Sequence, residues 1–424
     1  MRHLGKSIIL FALVALSGLV IVPSAVFARA AAQTVTYTKG WYEPNNPSAA
    51  SRQMLYVNNP EQLQLAEMAN YTPVWQSGRG PAIYSVQLAG NSRYRAFFEH
   101  SNATGGAIGY GLFFFNNSGV ATTITVRGKG FVQGFSPSTG QGGGVAFRDV
   151  FNNYNGTNFQ QISLAAGAGT WIRWDNLGGA NFSGVVDFDT AAGGPLLRFV
   201  AYRGAFSGLP GSYYSTGYED RGIEERVYKG VSEHTAVTTN LSYTIDSTDV
   251  NQPLLVNYTG YQGSFTNRVN WVTSLDRDND LGQTNGVGPA IGSDMVTFNF
   301  NDAGESWVFG PTSPDLSGKT ANLGNWGVVY RTNVTITNRD TVARTIALRI
   351  QAPPATPDGV PHYVQFAHFS SATGNWQSRN LTLGSAPFEY VTRSIPANST
   401  ATINGFFVIG APSYAQLRQS AVIR

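Results

Sequence analysis

The chain has 424 residues, no cysteine and 12% charged residues, against about 25% in ordinary soluble domains. A disulfide framework is excluded, and a chain this long can bury a core without one. The formal net charge of +3 lacks the basic footprint of a nucleic-acid binder, so no nucleic-acid partner is expected.

The first element is MRHLGKSIILFALVALSGLVIVPSAVFARAAAQ. Arg2 and Lys6 form a basic start, Ile8 to Val22 is an apolar run, and the small residues Val26-Phe27-Ala28 and Ala30-Ala31-Ala32 offer cleavage sites. This reads as a signal peptide over 1–32. The apolar run falls short of the roughly 20 residues of a membrane span, so no transmembrane anchor is expected. Cleavage after Ala32 would carry off Arg2, Lys6 and Arg29, three of 28 basic and none of 25 acidic residues, leaving no net charge. The expected location is extracellular or at the cell surface. An exported chain without cysteine suits a bacterial origin, and sequons such as Asn102, Asn257, Asn333 and Asn398 are then expected to be chance matches rather than glycan sites.

Beyond the leader, helix signals are scarce. PEQLQLAEMA, Pro60 to Ala69, is the best helix candidate, although its Leu63 and Leu65 alternate as in a strand. Tyr94 to Phe98 and Tyr110 to Phe115 are β-prone. Thr122 to Val126 alternates with period two, placing Ile124 on one face and Thr123 and Thr125 on the other. Asn116-Asn117-Ser118-Gly119 between the last two runs is a turn. Gly140 to Gly144, GQGGG, reads as a flexible loop.

FNNSGVATTITVR, Phe115 to Arg127, returns as TNRDTVARTIALR, Thr337 to Arg349. At a constant offset Asn116, Val120, Ala121, Thr123, Ile124 and Arg127 match Asn338, Val342, Ala343, Thr345, Ile346 and Arg349. A weaker echo pairs Leu164 to Ile172 with Ile395 to Ile403. The repeat predicts the same hairpin in two related modules. Further strands are expected at Leu254–Tyr258, Asn270–Thr273 and Met295–Phe300. Many short strands with Gly and Asn turns predict an all-β chain of two tandem antiparallel β-sandwich modules, immunoglobulin- or jelly-roll-like, over 33–230 and 231–424.

NNPEQLQLAEMANYT, YRAFFEHSNATGG with GYGLFFFNNSGVATTITVRG, and LGNWGVVYRTNVTITN resemble segments of a group of secreted bacterial proteins without an assigned function. In Gram-positive bacteria such regions accompany stalk domains of the copper amine oxidase N-terminal type. The resemblance rests on packing and turn patterns. It implies no catalytic residue and no copper site.

Asp276, Asp278 and Asp280 in LDRDNDLG sit at alternate positions, where carboxylates can wrap calcium. Leu281 stands where a full EF-hand loop needs glycine, and Val287 where it needs glutamate, so a looser calcium site or a solvated acidic loop remains. GPTSPDLSGKT, Gly310 to Thr320, ends like a phosphate loop, but Ser313 stands at the required first glycine and a strand follows. Neither a G-x-S-x-G elbow nor an H-E-x-x-H metal motif occurs. His362 and His368 would share a strand face, as a partial metal site or, more simply, a partly exposed polar pair.

Glu219, Asp220, Glu224, Glu225 and Glu233 supply carboxylates for a glycosidase, although an acidic linker explains them more simply. Trp171, Trp174, Tyr213, Tyr214 and Tyr218 are the candidate sugar-stacking aromatics, with core packing as their alternative. The two tryptophans, three apart, should face opposite sides of a strand. The expected role is a non-catalytic structural, adhesive or envelope-associated one. The alternatives are a carbohydrate-binding module and then a glycoside hydrolase. Partners are cell-wall or extracellular polysaccharide or another surface protein, with no cofactor other than calcium.

Overall fold

The computed structural model describes residues 34–40, 42–44, 52–57, 62–65, 68–69, 80–136, 142–203, 218–220, 229–232, 236–245, 253–259, 327, 329–351, 363–382, 385–414 and 417–424. The expected strands at Asn270–Thr273 and Met295–Phe300 and the aspartates of 276–280 lie outside them.

The architecture is all-β. In the first half run β1 (Thr34–Gly40), β2 (Arg52–Val57), β3 (Gln62–Leu63), β4 (Met68–Ala69), β5 (Gly80–Ala82), β6 (Tyr84–Gln87), β7 (Ser92–Asn102), β8 (Ile108–Phe115) and β9 (Thr122–Phe135). Helix α1 (Gly142–Asn152) follows, then β10 (Gln160–Leu164), β11 (Gly169–Leu177), β12 (Asn181–Thr190), β13 (Leu196–Arg203), β14 (Tyr218–Asp220) and β15 (Lys229–Ser232). The second half holds β16 (Ala236–Ile245), β17 (Pro253–Thr259), β18 (Val329–Asn338), β19 (Arg344–Gln351), β20 (Tyr363–Ser370), β21 (Asn375–Thr382), β22 (Phe388–Ile395), β23 (Ser399–Tyr414) and β24 (Leu417–Ile423).

The first sandwich stacks the sheet β10-β9-β12-β7-β2-β15 on the sheet β11-β8-β13-β4. The second stacks β1-β16-β18-β23-β20-β21 on β17-β24-β19-β22. Two strands cross the division expected at residue 230. The early β1 pairs antiparallel with β16 in the second sandwich, and β15, spanning 229–232, pairs with β2 in the first. Most pairs are antiparallel, but β16 with β18 and β2 with β7 are parallel. The helix expected at Pro60–Ala69 does not form. The short strands β3 and β4 pair parallel with β7 and β13 instead, and Leu63 is fully buried, so sheet pairing and burial override the local pattern.

The repeated segment is not a hairpin. β8 and β9 lie in different sheets of the first sandwich, and β18 and β19 in different sheets of the second. Each turn is an arch that carries the chain across the core. The weaker echo supplies the companion arch, since β10 leads to β11 and β22 to β23 between the same pairs of sheets.

The matched asparagines lock these stacked arches. Asn116 is fully buried, and its Nδ2 donates to the carbonyls of Val120, Leu164 and Ala165 at 2.8, 3.0 and 3.1 Å. Asn338 does the same with Val342, Ile395 and Pro396 at 2.9, 3.1 and 3.0 Å. The amides of Ser118 and Asp340 donate to the respective Oδ1 atoms. In the companion arch Gly167 and Asn398 both take positive φ, 74° and 51°. Asn102 makes a third lock between β7 and β8, donating to Gly106 and Leu177 and accepting from Thr104. At Asn102 and Asn116 the sequon hydroxyl serves the lock. Thr104 Oγ1 and Ser118 Oγ donate to the asparagine Oδ1 at 2.8 and 2.6 Å. A buried amide already committed to carbonyls is no glycan acceptor.

Gly142 to Gly144 form the first turn of α1 rather than a loop. Glycine costs about 1 kcal/mol per position in a helix, and tight packing offsets that here. A Cβ on Gly130 of β9 would stand 1.9 Å from the Ala146 carbonyl oxygen, and one on Gly410 of β23 would stand 2.3 Å from the Gly143 carbonyl carbon. The helix is therefore held between bare strand backbones of both sandwiches. Phe147, Val150 and Phe151 share one hydrophobic cluster with Phe97 and Val185 from the first sandwich and Phe366, Trp376 and Phe407 from the second.

With both faces covered, β7 and β12 are buried almost throughout. Tyr94, Ala96 and Phe98 point into the first sandwich, and Phe97 points to the helix. Arg95 shares the Phe97 face. Arg95 and Asp187 have no exposed side-chain surface and form a two-pronged ion pair, Nε to Oδ1 at 2.8 Å and Nη2 to Oδ2 at 2.9 Å. The same guanidinium reaches the carbonyls of Tyr42 and Gly327 and lies over the Phe151 ring. It thus ties the segment after β1 and Gly327, just before β18, to the β7–β12 pair.

Candidate functional site

A cleft of about 300 Å³ opens at the seam between the sandwiches. Four stretches far apart in sequence build it: Tyr42 and Glu43 after β1, Phe151 to Tyr154 at the end of α1, Phe369 to Trp376 around the β20–β21 turn, and Phe406 on β23.

Its floor is aromatic. Tyr42, Phe151 and Trp376 are 8%, 4% and 4% exposed. Tyr42 meets Phe151 and Trp376 edge-on at 5.5 and 5.6 Å between ring centres, and Phe151 lies 4.5 Å from Trp376. The partly exposed Phe369 and Phe406 form the walls, nearly perpendicular to each other. Burial pushes the Tyr42 hydroxyl up to about 12, partly offset by a hydrogen bond with the Trp376 side chain and by the nearby positive charge of Arg95 and Arg331. The floor is therefore uncharged at any ordinary pH.

The polar groups of the cleft are held in place. Glu43 accepts from Tyr154 Oη at 2.5 Å and from Arg93 Nη1 at 2.9 Å. Asn152 donates to the Trp376 carbonyl and accepts from its amide, both at 2.8 Å, clipping the end of the helix to β21 across the seam. Asn375 is exposed at the rim beside Gly374, whose φ of 70° makes the turn. Guanidinium groups already occupy a face of Phe151 and of Phe406, since Arg95 lies over the first and Arg331 over the second, 4.9 and 5.6 Å from the ring centres.

The aromatics singled out in the sequence lie elsewhere. Trp171 packs on Phe113 on the outer face of the β11-β8-β13 sheet, and Trp174 stacks on Phe131 at 4.9 Å on the inner face, so the two do point to opposite sides. Both are partly buried, and they cannot act as one platform. Tyr213, Tyr214, Glu224, Glu225 and Glu233 lie outside the described residues, as do Asp276, Asp278 and Asp280. Tyr218, Glu219 and Asp220 form β14, which pairs with β5.

His368 is buried rather than partly exposed, packed against Phe366, Phe388 and Tyr390. Burial first, and then Arg379, bring it down to about 4, against a smaller opposing contribution from the Phe369 backbone. His362 lies outside the described residues. Among the described residues no group of three or more His, Cys, Asp and Glu is placed to hold a metal ion, and no helix is long and apolar enough to cross a membrane.

No protein-family model and no curated protein matches the chain. Among solved structures it is similar to the PBSX exported protein XepA at 8% identity, covering 80% of this chain and 85% of that one, with a TM-score of 0.16. It is also similar to Lac15 from a marine microbial metagenome, at 10% identity over 88% of this chain and 61% of that one, TM-score 0.13. Fet3p, a multicopper oxidase that functions in iron import, matches at 10% identity over 87% of this chain and 62% of that one, TM-score 0.15. The chain thus spans under two thirds of the latter two. At these scores the likenesses carry no functional argument.

Proposed function

We propose that this is an exported, non-catalytic component of the cell exterior, with an adhesive or envelope-associated role. The observation that carries the reading is the seam cleft. The second sandwich and the end of α1 build it, Arg93 of the first sandwich holds Glu43, and Asn152 clips the helix to β21, as suits a preformed binding surface rather than a moving active site. The leader-like segment over 1–32 and the low charge support export.

Five acids among the described residues are consistent with a non-catalytic role. Glu43, Asp187, Asp189, Asp340 and Glu389 each sit against an arginine, and Asp340 and Glu389 are held below the usual carboxylate range by their arginine partners, in Glu389 against the opposing effect of burial. Asp340 and Glu389 are thereby anchored as anions, whereas a glycosidase acid must keep its proton.

The test is co-sedimentation of the chain from Gln33 onward with isolated cell walls and insoluble polysaccharides, with and without calcium. Saturable binding without release of soluble sugar is expected. Calcium dependence would direct attention to Asp276, Asp278 and Asp280. Released sugar that disappears in Glu224→Gln would overturn the reading in favour of hydrolysis.

A further inference from the structure

We infer that the seam cleft is a binding site for an uncharged pyranose ring of a polysaccharide, stacked on Phe369 beside Phe406 and over the Tyr42–Trp376 floor. The inference rests on the proposed non-catalytic binding role and names the site and ligand class.

Charge selects the class. A cationic ligand such as a quaternary ammonium would seek open aromatic faces. Here the Phe151 and Phe406 rings already carry the guanidinium groups of Arg95 and Arg331, so a further cation would meet like charge. An anionic ligand would meet the Glu43 carboxylate at the cleft wall. Glu43 is itself paired with Arg93, which leaves the cleft near neutrality. A neutral ligand with apolar C–H faces and a rim of hydroxyls satisfies both conditions.

Shape and polar placement agree. The volume of about 300 Å³ stands at the small end of ligand pockets, enough for a short saccharide and too small for a folded partner. Phe369 and Phe406 are the partly exposed rings; they meet edge to face with centres 6.4 Å apart, so a ring-shaped ligand can stack on Phe369 and abut Phe406 but not enter between them. Asn375 is exposed at the rim, where its Nδ2 donates to the Thr373 carbonyl at 3.2 Å and its Oδ1 offers an acceptor, and Glu43 adds another; these are groups that hydroxyls use.

The test is calorimetric titration of the chain from Gln33 onward with cellohexaose, chitohexaose, maltohexaose, xylohexaose and mannohexaose. Tetramethylammonium and polygalacturonate oligomers serve as charged probes. Binding of at least one neutral hexasaccharide is expected, weakened about tenfold or more in Phe369→Ala and several-fold in Asn375→Ala, with Trp171→Ala unchanged. Both cleft positions are partly or fully exposed, and far-ultraviolet circular dichroism checks that the variants fold. If a hexasaccharide binds and only Trp171→Ala loses it, the binding role stands and the cleft assignment falls. Binding of a charged probe alone overturns the ligand class. Should the protein sediment with cell walls yet bind no neutral hexasaccharide, the inference fails while the proposed role survives.

Discussion

Replacing Asp187 with alanine tests how the seam is held. Arg95 and Asp187 are both fully buried, and their paired contacts at 2.8 and 2.9 Å satisfy the guanidinium. Without the carboxylate, Arg95 keeps only long contacts, 3.4 Å to the Tyr42 carbonyl and 3.5 Å to that of Gly327, plus the Phe151 ring. Removing one partner of such a pair costs about 3–5 kcal/mol, because a buried charge is left unpaired. Removing both charges costs far less, so Arg95→Met with Asp187→Leu should lose clearly less than the two single changes summed. Urea unfolding followed by tryptophan fluorescence and circular dichroism measures all variants. Asp187→Ala within about 1 kcal/mol of the parent, below the range expected for a broken buried pair, would refute the reasoning. So would strict additivity in the double variant.

Four further outcomes are expected. Gly130→Ala should destabilise by about 1–3 kcal/mol or more through its clash with Ala146, while Gly119→Ala, with open space around it, should be near neutral in the same urea series. Asn338→Ala should cost about 2–4 kcal/mol through the carbonyls left without donors. Asn338→Asp should cost more, by setting a carboxylate against them, as thermal midpoints would show. The Tyr42–Phe407 cluster that spans both sandwiches should make the described core unfold in one transition, and scanning calorimetry with two well-separated peaks would contradict this. For His368 the folded value near 4 lies below the ordinary 6.5, so the unfolded state takes up its proton first. Stability should fall as pH drops from about 6.5 toward 4, by roughly 3 kcal/mol at most for this group, and His368→Phe should flatten that slope in urea midpoints taken across the window.

What the sequence reveals depends on how local the physics is. Alternation over Thr122 to Val126 places Ile124 inside because a strand has period two, and the structure agrees. The repeat marks equivalent arches because the Asn116 and Asn338 locks act within a few residues of their turns. Whether each turn returns to the same sheet or crosses to the other depends on partners some 50 residues away, which a local pattern does not hold. Helix α1 was not read from the sequence, although Phe147, Val150 and Phe151 recur at helical spacing. The three glycines before them disguise it, because their reason is a tertiary contact with β20 and β23. The seam cleft was not legible, for it joins Tyr42, Phe151, Trp376 and Phe406 only once β1 has crossed to the second sandwich.

The most direct test of a saccharide site at the seam is amide hydrogen exchange of the chain from Gln33 onward, with and without the tightest-binding hexasaccharide. The account predicts added protection at 151–154 and 369–376 and none at 171–174. Protection confined to 171–174, or unchanged exchange across the seam at saturating sugar, would contradict it.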